Sequence, residues 1–118
     1  MKKNDLIDRT KRFAINCWIL CSKLPKSREY SAYVHQLIRC SSSVGANYRA
    51  SQRAKSTRDF INKLKIVEEE ADESMYFLEL LLEISETNKE EMNTLHKEAG
   101  EILAIMVSSI NKTKSNLK

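Results

Sequence analysis

Two glycines and one proline in 118 residues leave little to punctuate sheets, tight turns or long loops. With Gly45, Gly100 and Pro25 as the only such residues, the chain reads as a few long helices with short joints. Its length suits one domain around one core, residues 1–118. No apolar run approaches the roughly 18 residues of a membrane span, and the opening MKKNDLIDRTKRF lacks the apolar segment of a signal peptide. A cytoplasmic protein with no membrane partner is expected.

Helical periodicity divides the chain into four. Leu6, Ile7, Phe13, Ala14, Cys17, Trp18, Leu20 and Cys21 recur at helical spacing over about 4–22, and KLPKSRE ends that run because the residue before Pro25 is kept out of helix. Over about 27–54, Tyr30, Tyr33, Val34, Leu37, Cys40, Ser41, Val44, Tyr48 and Ser51 form one stripe. Ser56 or Thr57 can cap a third helix to about 85, with core positions Phe60, Leu64, Val67, Ala71, Met75, Leu78 and Leu82. Asn88 with Glu91 reads as a capping box opening the fourth, about 89–113, which carries Met92, Leu95, Ala99, Ile102, Leu103, Met106 and Ile110 into a frayed tail. Short joints make successive helices antiparallel neighbours, so the expected fold is all-α, an up-down-up-down antiparallel four-helix bundle.

The stretch SSSVGANYRASQRAKS, residues 41–56, superficially resembles a phosphate-cradling loop. Such a loop needs several glycines between a strand and a helix, whereas Gly45 is a single glycine on the second helical stripe. The small residues Ser41, Ser42, Ser43, Gly45, Ala46 and Ala50 instead allow a close helix approach. A turn near Lys55 and Ser56 sets a register in which facing residues of helices two and three have numbers summing to about 111. Val44 then faces Val67, Cys40 faces Ala71, and Arg39 is level with Asp72 and Glu73. Arg39, Asn47 and Asp72 are the expected interhelical polar pairing, an exposed ion pair there contributing about 0–1 kcal/mol.

The net charge of +4 conceals a split: residues 1–63 carry 14 Lys and Arg against 4 Asp and Glu, and residues 64–118 carry 6 against 12. Arg49, Arg53, Lys55 and Arg58 form the densest basic patch, suited to sequence-independent contact with the phosphates of RNA or DNA. Helix three carries a second apolar strip, Ile66, Phe77, Leu80 and Ile84, with Glu69 and Glu73 in the same sector and Tyr76 close by. That strip is an expected oligomer interface. Its complement is the face of helix two bearing Arg28, His35, Arg39, Ser42, Ala46, Arg49 and Arg53, and docking one on the other is heterologous and can close a ring.

Catalytic chemistry is not suggested, and no enzyme, cofactor or metal is expected. His35 and His96 are isolated, the run Glu68–Glu69–Glu70–Asp72–Glu73 lacks the Glu-x-x-His motifs of di-iron bundles, and Cys17, Cys21 and Cys40 sit in apolar patterns as core thiols. A metal held by Cys17 and Cys21 with His35 or His96 is the minor alternative.

The segment QLIRCSSSVGANYRASQRAKSTRDFINKLKIVEEEADESMYFLELL, residues 36–81, closely resembles the four helix bundle protein family, known also as the 23S ribosomal RNA intervening-sequence protein family. Carrying the resemblance are Leu24-Pro25, Gln36-Leu37 with Arg39, the run Ser43 to Arg49, Asp59-Phe60, Lys63, Glu69 to Glu73 and Leu78-Glu79-Leu80. It implies a non-enzymatic four-helix bundle assembled as a ring-shaped homopentamer. Related pentamers serve as accessory variability proteins of diversity-generating retroelements, where a basic surface engages nucleic acid and a reverse transcriptase. By that analogy Arg49, Arg53, Lys55 and Arg58 are the candidate nucleic-acid contacts, with a purely structural module whose charges serve self-assembly as the alternative.

Overall fold

The computed structural model describes residues 3–117 and consists of four helices: α1 (Lys3–Ser22), α2 (Arg28–Ser51), α3 (Thr57–Ile84) and α4 (Lys89–Asn116). They lie antiparallel in a bundle 50 Å long and 21 Å by 20 Å across. The all-α, up-down-up-down expectation agrees with this architecture.

Each boundary has a local cause. Ser27 and Ser56 adopt extended backbone, and their hydroxyls accept from the amides of Tyr30 (3.1 Å) and Asp59 (3.0 Å), satisfying donors that a helix start leaves open. Asn88 is different. Its φ of 62° is left-handed and its side chain makes no cap to the helix, so the expected capping box does not form. Its Nδ2 donates weakly to Glu91 (3.4 Å) instead, and the same Glu91 oxygen accepts from Lys23 of α1 (3.1 Å). Helix α2 stops three residues short of the expected Ala54. The amides of Gln52, Arg53 and Ala54 each bond three residues back, to Arg49, Ala50 and Ser51, a tightening that ends the α-helix. Helix α4, in contrast, runs to Asn116 rather than fraying at 113.

The α2 stripe buries Leu37, Cys40, Ser41, Val44, Tyr48 and Ser51. In α3 the stripe is rotated relative to expectation: Ile61, Ser74 and Leu81 are buried, whereas Phe60, Met75 and Leu82 are half-buried at its edges. Ser74 tolerates the core because its hydroxyl is bonded to the Glu70 carbonyl (2.8 Å) and Cys40 Sγ (3.3 Å). Cys17, Cys21 and Cys40 are free and buried. Fully burying a side chain such as Phe13, Leu20 or Leu78 contributes roughly 1.5–3 kcal/mol each, so this stripe is the main source of bundle stability.

Two seams decide how α1 is held. Against α2 it approaches closely, because a β-carbon at Gly45 would lie 3.4 Å from the Thr10 carbonyl carbon and oxygen. The small residues of α2 therefore include a seam to α1. Against α4 the approach is the least of the four neighbouring pairs, and ion pairs close it: Arg9 to Glu98 and Glu101, and Lys23 to Glu91.

Candidate nucleic-acid interface and assembly faces

Antiparallel packing brings the α2–α3 turn, the start of α1 and the end of α4 to one pole. Leu6, Tyr48, Gln52, Lys55, Thr57, Phe60, Ser109 and Thr113 line a shallow depression of about 600 Å³ there. Lys55 lines it and Arg53 and Arg58 of the same turn are exposed, while exposed Lys112 and Lys114 of α4 flank the lining residue Thr113. The α4 lysines were not visible as part of the patch in the sequence, since some 55 residues of chain intervene. Only the antiparallel pairing of α4 with the other helices reveals them.

The four expected basic residues are not one cluster. Arg49 lies one turn back along α2, lining a groove against α1 with Ile7, Lys11, Ala14, Ser42, Gly45 and Ala46. Arg49, Arg53 and Arg58 are exposed and form no ion pair among the described residues, in contrast to Arg9, Arg39 and Lys63. Asp59 is already engaged. Lys63 Nζ donates to it at 2.9 Å and the Lys55 amide at 3.1 Å, and these contacts hold its carboxyl below the usual carboxylate range. Asp59 is therefore held as a carboxylate, its charge offset by the paired Lys63 ammonium.

The expected interhelical pairing is partly realised. Arg39 reaches Glu73 through Nη2 and Glu70 through Nη1 (3.4 Å), while its Nε donates to Gln36 (3.1 Å). Asp72 does not take part: it lies on the exposed side of α3, about 100° around the helix from Glu73. Asn47 also departs from expectation. Its Nδ2 donates to the Ser43 carbonyl (2.9 Å) and hydroxyl (2.8 Å), both within α2, so it does not bridge helices.

The expected apolar strip of α3 is present, with Ile66 and Ile84 exposed, Glu69 exposed, and Glu73, Phe77 and Leu80 half-buried. Phe77 is held by its own chain, tilted against Tyr33 of α2 (centroids 6.1 Å) and edge-on to Tyr76 (5.5 Å). Tyr76, 55 % exposed, is the larger outward aromatic. Trp18 shares the apolar periodicity of α1 yet is 60 % exposed. Cys17, Leu20 and Cys21 hold the core face, and Trp18 stands outside it above Val34 and Ile38.

Cys21 and His35 line one depression at the α1–α2 joint, whereas His96 lies on α4. His35 is exposed with Nδ1 against the Ser31 carbonyl (2.7 Å), and His96 Nε2 meets Glu79 (2.8 Å). Burial pushes the three thiols up, Cys21 to about 11. Among the described residues no group of three His, Cys, Asp or Glu is placed to hold a metal ion, and no helix is long and apolar enough to cross a membrane.

A four-helix bundle of this kind, with basic side chains at one pole and an acidic, apolar strip on α3, defines a small all-α bundle protein. The chain belongs to the 23S rRNA-intervening sequence protein family, whose model matches residues 2–108. Its fold is shared with a protein of unknown function from the S23 ribosomal protein family of Bacteroides thetaiotaomicron, solved by crystallography at 1.70 Å, with a TM-score of 0.84 and 33 % identity. The alignment covers 94 % of this chain and 99 % of that one. No curated protein matches the sequence.

Proposed function

We propose that the chain is a non-enzymatic accessory protein of the cytoplasm that assembles with copies of itself, as a pentameric ring, and holds nucleic acid, structured RNA foremost, by its phosphates. The observation that carries this reading is the pole that gathers exposed Arg53, Lys55 and Arg58 with Lys112 and Lys114 of the α4 end, both arginines being free of ion pairs among the described residues. Membership of a family described by ribosomal RNA is consistent with such a partner. Unpaired surface cations displace counterions from phosphates without reading sequence. A ring would repeat the pole around one rim, converting weak single contacts into multivalent binding. Arg49 lies apart from the pole, in the α1–α2 groove, and its role in this reading is subunit contact.

The test is binding of a structured RNA hairpin by fluorescence anisotropy at low salt. Replacing Arg53, Lys55 and Arg58 with alanine should weaken binding at least tenfold, while replacing exposed Lys89 and Lys97, towards the opposite end of α4, should leave it within twofold. Equal effects from both sets would overturn the reading and leave a module whose charges serve only self-assembly.

A further inference from the structure

We propose that the groove between α1 and α2, headed by Trp18, seats the α3 strip of a second copy of this chain. The inference rests on the assembly part of the reading above and names its two surfaces.

Among the described residues, the large exposed apolar side chains within the helices are Trp18 (60 %) and, about 100° around α1 from it, Ile19 (38 %), and on α3 Ile66 (38 %), Tyr76 (55 %) and Ile84 (46 %). Beside Trp18 the α1–α2 seam is hollow. A depression of about 190 Å³ bounded by Trp18, Cys21, Lys26, Val34 and Ile38 lies along the same seam as one of about 250 Å³ bounded by Ile7, Lys11, Ala14, Gly45 and Arg49. Its floor is apolar and small while its charged rim is cationic: Lys11 and Arg49 towards one end, Lys26 towards the other. The α3 strip is the reverse, a convex row of apolar side chains edged by Glu69 and Glu83. A convex acidic strip and a concave basic groove on one chain are complementary, and because they differ they join head to tail rather than face to face.

The heights agree as well. In a ring whose axis runs along the bundle, each residue meets those at its own level on the next copy. Those levels are marked by contacts within the chain: Gly45 against Thr10, Arg39 on Glu70 and Glu73, Tyr33 on Phe77, and the Tyr30 hydroxyl at 3.2 Å from the Ile84 carbonyl. Trp18, beside Val34 and Ile38, is therefore level with Tyr76. Lys11, beside Gly45, is level with Ile66 and Glu69, and Arg28 with Glu83. Asp8 and Lys65, opposite in sign to their neighbours, also fall at one level. Aromatic thus meets aromatic and cation meets carboxylate along the whole seam.

Trp18 is the sole tryptophan, so the contact reports on itself. Sedimentation equilibrium of the intact chain, with tryptophan emission and acrylamide quenching followed in the same dilution series, should show an oligomer in which emission is blue-shifted and quenching reduced, both reversing on dissociation. Trp18→Ala and Tyr76→Ala should each weaken assembly roughly a hundredfold, the effect of losing a central aromatic anchor. Arg28→Glu and Glu83→Arg should each weaken it about tenfold, and combining the two should restore it. All four positions are exposed, so far-UV circular dichroism should be unchanged. A wild-type monomer at tens of micromolar overturns both the docking and the assembly reading. A wild-type oligomer in which Trp18 stays fully quenchable and Trp18→Ala still assembles overturns the docking alone.

Discussion

Arg9 of α1 grips Glu98 of α4 with two parallel hydrogen bonds, Nε and Nη2 each 2.7 Å from a carboxylate oxygen, across the seam where the bundle's helices approach least. The same Nη2 also reaches Glu101 (2.7 Å). Both members of the fork are about three-quarters buried, so solvent screens them less than an ordinary surface pair. Arg9→Ala should lower unfolding stability by about 1–2 kcal/mol in urea titrations. Arg9→Lys should recover little of it, because an ammonium cannot reproduce the planar fork. Full recovery by lysine would reduce the contact to simple charge.

The two glycines separate helix propensity from helix approach. At Gly100 a β-carbon would meet the flexible end of Met75 at 3.5 Å, so Gly100→Ala should raise stability by about 0.5–1 kcal/mol. At Gly45 it would meet the α1 backbone at 3.4 Å, leaving room for a methyl group and no more. Gly45→Ala should be close to neutral or mildly stabilising, whereas Gly45→Leu should cost about 1–3 kcal/mol by forcing α1 outward. Thermal melts of the three variants give the order directly.

The fold was legible because its signals are redundant. Scarce turn residues, Pro25 before α2 and the Leu37–Cys40–Val44–Tyr48 stripe all demand long antiparallel helices. The site was less so. Register was recoverable to within about one helical turn, which places Arg39 level with the acidic run; the exposed direction of Asp72 on the wheel then hands the pairing to Glu70 and Glu73. Asn47 turned inward on Ser43 because an amide one turn along its own helix satisfies it without a partner helix. Periodicity leaves the facing of Trp18 open, since an apolar residue at the edge of a wide helical stripe looks the same whether it faces core or surface. The pole was incomplete in sequence because Lys112 and Lys114 join it only through the fold.

Alkaline pH should destabilise the bundle through its thiols. Burial raises Cys17, Cys21 and Cys40, so the folded state keeps protons that the unfolded state releases. For groups raised on folding, the stabilising contribution is fully present below the unfolded thiol range, near pH 8.5, and is lost as pH climbs through the folded values, about 11 for Cys21. Urea midpoints should therefore fall between pH 8.5 and 10.5. Cys21→Ala should flatten that fall, whatever its effect on stability at neutral pH; an unchanged slope would show that the thiols are not its source.

The central claim is phosphate contact by the basic pole, and the salt dependence of RNA binding tests it most directly. If Arg53, Lys55 and Arg58 each neutralise one phosphate, the logarithm of the binding constant for a structured RNA should fall against the logarithm of salt with a slope of about −2 to −3 per protomer. Lys112 and Lys114 add to that slope, and removing the three side chains should make it shallower by about 2 to 3. A wild-type slope indistinguishable from zero, or no binding even at low salt, would contradict the account.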